Sequence, residues 1–163
     1  DGLNIAARKI SVSTAGLPEQ IKKFAGEGLQ INLAISLHAP NDDLRTKLMP
    51  INKKYPIKEI LSAVDYYIEK TNRKVMFEYL MIDSITDSEK NARELAILLN
   101  KPLYMINLIS YNQTDKYKSS SKEKIDKFKK ILKEDGINVS QRFKFGEDIK
   151  GACGQLAGND LSK

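Results

Sequence analysis

The 163-residue chain is 41% apolar and holds one cysteine, and its 27 Lys and Arg against 21 Asp and Glu leave a net charge of +6. The apolar fraction excludes a disordered tail, the lone cysteine excludes a disulfide framework or a multi-thiolate zinc cage, and no apolar run reaches the roughly 18 residues of a membrane-spanning helix. The basic balance favours polyanionic partners such as RNA.

In chain order, short β-type runs alternate with helical ones. Residues 9–14 alternate apolar and polar with β-branched side chains, which predicts a strand. Leu17 and Pro18 open a helix with Ile21, Phe24 and Ala25 at helical spacing, closed by Gly26 and Gly28. Residues 30–37 predict a second strand. Asn41, Asp42 and Asp43 form a cap cluster for a short helix bearing Leu44, Leu48 and Met49, stopped at Pro50. Pro56 starts a longer helix to about residue 70, with Ile60, Leu61, Val64, Tyr67 and Ile68 on one face. A third strand is expected at 74–82. Asp87 is read as the cap of a helix at 88–100 with Ala92, Leu95, Ala96 and Leu99 inward. A fourth strand follows at 103–110. Ser121 begins a Lys-rich helix to about 135, with Ile125, Phe128 and Leu132 as its buried stripe and Gly136 at its end. Residues 137–145 predict a fifth strand.

Repeated βα units require parallel strands with right-handed crossovers. Two architectures fit: a doubly wound sheet, or a piece of a β/α barrel, which needs about 250 residues when complete. No Gly-rich phosphate loop follows any strand, which disfavours a dinucleotide-binding domain. The whole chain is read as one domain, with β/α units over about 1–145 and a Gly-rich segment at 146–163. The chain begins Asp1-Gly2-Leu3 with neither Met nor an apolar leader, and it is expected to be part of a longer protein.

Ligands of parallel α/β folds bind at the C-terminal strand ends. Those ends deliver Ser13 and Thr14, then Ser36, Leu37 and His38, then Glu78 and Asp83, then Asn107, Ser110, Tyr111 and Asn112. None forms an evident nucleophile–base pair. Each also has a plain structural role open to it, as turn former, cap or solvent-facing polar group. Cys153, set between Gly151 and Gly154, suits an accessible, reactive thiol, although a lone cysteine is by default a small buried hydrophobe. The lysines at 122–133 are interspersed with Glu123, Asp126 and Glu134 and read first as a solvated face. Arg8 and Lys9, Lys53 and Lys54, and Arg142 and Lys144 are equally good phosphate contacts.

Five segments occur in order: Arg-Lys-Ile-Ser-Val-Ser-Thr at 8–14, Asn-Leu-Ala-Ile-Ser-Leu-His-Ala-Pro-Asn-Asp at 32–42, Leu-Met-Pro-Ile-Asn at 48–52, Asn-Leu-Ile-Ser-Tyr-Asn at 107–112, and Gly-Ala-Cys-Gly-Gln-Leu at 151–156. Together they resemble the C-terminal part of the dual-specificity RNA methyltransferases of the radical S-adenosylmethionine superfamily. The resemblance implies the C-terminal part of a partial six-stranded β/α barrel, with parallel strands alternating with helices. It implies methylation of adenine carbon 2 in large-subunit ribosomal RNA and in transfer RNA. It places Ser13, Ser36, Leu37, His38 and Asn112 at positions that contact S-adenosylmethionine, and Cys153 at the cysteine that is itself methylated. In such enzymes a radical formed from a second S-adenosylmethionine at a 4Fe-4S cluster takes a hydrogen from the methyl group carried on that sulfur. The resulting carbon radical adds to the base, and a transient disulfide with a second cysteine releases the product. Carbon 2 is not nucleophilic, so a carbon radical held on the protein replaces direct methyl transfer.

The resemblance also implies an electron donor for the cluster, a cytoplasmic location and no membrane partner. The family's Cys-x-x-x-Cys-x-x-Cys motif and resolving cysteine are absent here, so no metal ligand is expected in this chain and it is expected to be inactive alone. Ser110 stands where the family usually has Pro. A carbon-8 methyltransferase relative shares most of these segments. A non-catalytic basic RNA-binding α/β module, and a metabolite enzyme using His38 and Glu78 as acid and base, are the remaining alternatives.

Overall fold

A computed structural model describes residues 5–114 and 116–142; Cys153, Lys144 and the 146–163 segment lie outside them. The strands are β1 (Ser11–Thr14), β2 (Asn32–Ser36), β3 (Val75–Met81), β4 (Tyr104–Ser110) and β5 (Val139–Arg142). The helices are α1 (Pro18–Gly26), α2 (Asp42–Leu48), α3 (Ile57–Thr71), α4 (Glu89–Leu98) and α5 (Lys122–Glu134). All five strands are parallel and lie side by side in chain order.

That order decides between the two architectures. A doubly wound sheet reverses its strand order once so that helices cover both faces. Here the order never reverses among the described strands, so right-handed crossovers place every helix on one face, as in a barrel wall. Burial alternates accordingly. In β3, Val75, Phe77, Tyr79 and Met81 are buried on the helix side, while Met76, Glu78 and Leu80 are only half-buried on the other.

The helix-side core runs from α1 to α5. Phe24 and Tyr67 stack with centroids 6.0 Å apart where α1 meets α3. Phe77 and Tyr104 pack at 4.8 Å between neighbouring strands, and Tyr79 meets Phe128 of α5 at 5.3 Å. Ile60, Val64, Leu95, Leu108 and Leu132 are essentially without solvent contact.

The element boundaries follow local chemistry. A 3-10 turn at Ala7–Lys9 occupies the start of the first predicted strand, and the ladder begins where Asn32 N–H donates to Ile10 O at 2.9 Å. Asn41 caps α2, its side chain accepting from Leu44 N–H at 3.0 Å, as the cap cluster predicts. The cap of α4 is Ser88, not Asp87: Ser88 Oγ accepts from Asn91 N–H at 3.1 Å. Asp87 instead accepts from Ser84 N–H at 2.9 Å and closes the turn where Ser84 has φ 59°. Two adjacent capping residues were available, and the turn took the first. Ser121 caps α5, and Gly136 ends it at φ 77° with Ile137 N–H donating back to Leu132 O at 2.9 Å. In α2 the expected stripe of Leu44, Leu48 and Met49 is only half-buried, and the side chain fully enclosed there is Arg45.

Candidate functional site

The face that the helices leave open carries a polar row. Strand register sets Ser36, Glu78, Asn107 and Ser140 side by side across β2, β3, β4 and β5. Alternation along each strand turns all four to the same face. Ser13 of β1 reaches this row, its hydroxyl donating to Glu78 Oε2 at 3.2 Å. Ser140 Oγ donates to Asn107 Oδ1 at 3.0 Å. Around the row, Ala34, Met76 and Met105 form the next level, toward the strand starts, and Leu80 and Ile109 the level beyond. The result is a hydrogen-bonding band on a partly apolar wall, suited to a ligand with both polar and apolar surfaces.

The rim above β2 is held by its main chain. Leu37 N–H and His38 N–H both donate to Glu78 O at 3.1 Å. Closing both onto one carbonyl puts His38 at φ 60°, in the left-handed region that non-glycine residues rarely occupy. The Leu37 side chain sits in the helix-side core, so what it offers the rim is main chain.

Beneath that rim lies Arg45, 0% exposed. Its guanidinium uses all five N–H donors. Nε donates to Leu37 O at 3.2 Å. One terminal nitrogen donates to Asn52 Oδ1 at 2.8 Å and Tyr55 O at 3.4 Å. The other donates to Ala15 O at 2.6 Å and Ser36 O at 3.1 Å. One side chain thus ties the ends of β1 and β2 to α2 and to the 3-10 turn at Pro50–Lys53. Asn52, 3% exposed, completes the knot by donating to Asp42 Oδ1 and Thr46 Oγ1, each at 2.9 Å. Burial holds the guanidinium pKa below its ordinary value, with Asp42 opposing.

His38 is affected by the same burial. Its pKa falls to about 4, first from desolvation and then from the Arg45 charge. Near neutral pH the ring is therefore neutral. Its buried Nδ1 has no hydrogen-bond partner among the described residues.

Beyond β4 the chain folds back. Ser119 bridges Ile82, Asp83 N–H donates to Lys118 O at 3.0 Å, and Tyr111 meets Tyr117 edge-on at 6.0 Å. Asn112, half-buried, begins this segment two strands along the same sheet end from His38. Thr86, fully buried, staples the end of β3, its Oγ1 donating to Leu80 O and accepting from Ile82 N–H, both at 2.7 Å.

Of the residues expected from the sequence, Ser13, Ser36, His38 and Glu78 come together at one sheet end, with Asn112 further along it. Cys153 lies outside the described residues. Arg45 and Asn52 were missed; the signal was an arginine falling on the same helical face as Leu48 and Met49. Among the described residues no group of three His, Cys, Asp or Glu side chains is placed to hold a metal ion, and no helix is long and apolar enough to cross a membrane.

No protein-family profile matches the chain. Curated relatives do. A protein of Streptococcus mutans named "Probable dual-specificity RNA methyltransferase RlmN" is 48% identical across the whole chain, which covers 46% of that relative. Like-named proteins of Streptococcus agalactiae and Streptococcus pyogenes are also 48% identical over the whole chain, with 46% and 47% of their lengths covered. Among solved structures, a radical SAM methyltransferase from Sphaerobacter thermophilus matches 94% of this chain and 46% of its own at 47% identity and TM-score 0.90. A domain of a pyruvate-formate lyase-activating enzyme from Bacteroides vulgatus shares the fold at TM-score 0.64 and 20% identity, over 82% of this chain and 80% of its own. The chain spans about half the length of the curated relatives it matches. Over its whole length it is similar to proteins named as dual-specificity RNA methyltransferases and, over 94% of it, to a solved radical SAM methyltransferase.

Proposed function

We propose that this chain is the S-adenosylmethionine-binding, methyl-accepting portion of a cytoplasmic radical SAM enzyme that methylates carbon 2 of adenine in ribosomal and transfer RNA. The observation that carries the reading is the whole-length similarity to proteins of that name, at 48% identity. The open face fits the cofactor. Ser13, Ser36, Glu78 and the neutral His38 ring offer hydrogen-bonding groups around a partly apolar wall, and His38 Nδ1 is buried without a partner among the described residues. S-adenosylmethionine, when bound, supplies the methyl group. Ser13, Ser36 and the His38 ring would hold it at the Leu37–His38 rim, with Asn112 from β4's end, and Arg45 would keep that rim in place.

The iron-sulfur cluster is a different case. One cysteine cannot supply the thiolates that such a cluster takes, so the cluster and the electron donor that reduces it belong with the part of such enzymes that this chain does not match. The resemblance gives Cys153 the other role: it accepts a methyl group on sulfur and presents that carbon to the base.

Two measurements test the reading. The 163-residue chain should bind S-adenosylmethionine in a calorimetric titration, and Ser36→Ala with His38→Ala should weaken binding at least tenfold. Joined to the cluster-bearing portion of the Streptococcus mutans relative, the chain should methylate adenine in RNA, read by mass spectrometry, and Cys153→Ala should abolish it. The same spectra distinguish carbon 2 from carbon 8. Methylation by the chain alone, or methylation indifferent to Cys153→Ala, would overturn the assignment.

A further inference from the structure

A second feature lies over the rim from the polar row. Between the end of β4, the end of β5 and the start of α5 is a cleft of about 320 Å³, lined by Ser110, Ser119, Ser120, Lys122, Gln141 and Arg142 over the apolar floor of Ile125. Among the described residues the lining holds two cations, three hydroxyls and an amide, and no carboxylate. Every polar side chain in it can donate a hydrogen bond.

Ser120 is the decisive member. It is 6% exposed, and its Oγ has no hydrogen-bond partner among the described residues. A buried hydroxyl left unpaired costs free energy unless a ligand or water completes it. Ser119 Oγ makes only a long contact, 3.5 Å, to Ser120 O. Neither cation of the cleft has an ion-pair partner among the described residues, although the Lys122 charge helps lower the Glu123 pKa. On α5, Lys124 is tied to Asp83 and Asp87, Lys127 to Glu89 and Lys130 to Glu134. The first turn of α5 is already capped by Ser121 and by the Glu123 carboxylate, which accepts from its own main-chain N–H. The cleft's affinity therefore rests on its side chains.

We infer that this cleft is an oxyanion site that anchors one backbone phosphate of the RNA beside the cofactor rim. The Ser120 hydroxyl and the Gln141 amide complete phosphate oxygens, and Lys122 and Arg142 neutralise the charge. The phosphate chemistry comes from the cleft alone; its attribution to RNA rests on the proposed function. The position is apt, since the cleft opens at the same sheet end as Ser36 and His38. A phosphate held there fixes the strand while a base reaches across to the row.

The test uses the full 163-residue chain. Inorganic phosphate, titrated while amide NMR signals are followed, should move those of 119–122, 141 and 142 as a group. Ser120→Ala should weaken that binding about three- to tenfold with no loss of thermal stability, because the hydroxyl has no partner to lose. Anisotropy of a labelled adenine-containing RNA hairpin, measured against salt, should show the Lys122→Ala/Arg142→Ala pair lowering the slope of log K against log salt by about 0.7–0.9, one phosphate's worth. Lys130→Ala, on the same helix but paired with Glu134, should leave the slope alone. RNA binding with an unchanged slope in the double variant would overturn the anchor and leave the RNA reading standing. Phosphate binding at the cleft without RNA binding by the parent chain would overturn the attribution to RNA. Phosphate shifts scattered over the lysines of α5 would overturn the site itself.

Discussion

Replacing Arg45 by Met separates the knot under the rim from mere space filling. Methionine approximates the aliphatic stem and removes five donors at once. Exchanging a buried ion for an apolar side chain is often neutral, because the charge's own desolvation cost disappears with it. Arg45 differs in its acceptors. Four of the five are main-chain carbonyls, of Ala15, Ser36, Leu37 and Tyr55, and these cannot be mutated away. Each buried acceptor left unpaired costs about 1–3 kcal/mol. The 3.4 Å contact to Tyr55 counts for little, and relief of guanidinium desolvation offsets part of the rest, so the net loss should be about 3–5 kcal/mol. In a domain of this size that lowers Tm by about 8–16 °C. Urea unfolding followed by circular dichroism, with the midpoint falling at constant slope, is the assay. Arg45→Lys, with three donors and the charge retained, should fall in between. An Arg45→Met midpoint equivalent to less than about 1 kcal/mol of loss would refute the reasoning, since the carbonyls would then have found other donors.

Three further outcomes follow from single observations. Gly16 has φ 90°, and a Cβ there would stand 2.7 Å from Ile60 Cδ1; Gly16→Ala should cost about 2–4 kcal/mol, whereas Gly28→Ala, at φ 66° with open space around it, should cost about 1 kcal/mol by urea titration. The His38 ring should titrate near pH 4 by NMR. Because that folded pKa lies below the unfolded value, the folded state binds fewer protons between pH 6.5 and 4, so stability present above pH 6.5 is lost through that window. The loss is roughly 3 kcal/mol at most, and the difference between parent and His38→Gln unfolding curves isolates it. Finally, β1 bonds only to β2 among the described strands, and its Val12 is 40% exposed; its amides should exchange with solvent at least a hundredfold faster than those of Val75–Met81, and equal protection would show that the sheet opens as one unit.

How far the sequence revealed this molecule depended on the range of the interaction. Helical stripes such as Ala92, Leu95, Ala96 and Leu99 were legible because period and burial coincide over one turn after another. The five-strand βα alternation was legible for the same reason. The orientation of Glu78 is a local matter too, since Phe77 and Tyr79 flank it and neighbours on a strand face opposite ways, but its partner Ser13 is not. What escaped was non-local. Ser13 meets Glu78 across 65 positions, and Arg45 meets Ala15 across 30. No local pattern states that an arginine on a short helix will turn inward to carbonyls contributed by two strands. Asp87 and Ser88 show the opposite failure, where local chemistry offered two equivalent caps and only the Ser84 turn distinguished them. The expected ligand contacts at Ser36, His38 and Asn112 came from the resemblance; residue chemistry alone left them as turn formers or caps.

The geometry also weighs against the remaining enzymatic alternative. A general acid or base works best with a pKa near the working pH, and His38 sits at about 4. Burial lowers it first, and the Arg45 charge adds to the shift. Arg45 is held close to the ring by its own bonds, since its Nε donates to Leu37 O, the carbonyl that precedes His38. The construction that positions the ring therefore also strips it of acid–base use at neutral pH. What remains is a neutral, hydrogen-bonding aromatic edge fixed at a rim, beside Ser36 and above Glu78. Those properties accord with the proposed role, in which the rim binds a heterocycle and leaves the chemistry to another group. The role proposed for Cys153 is to bring the reactive atom to that surface.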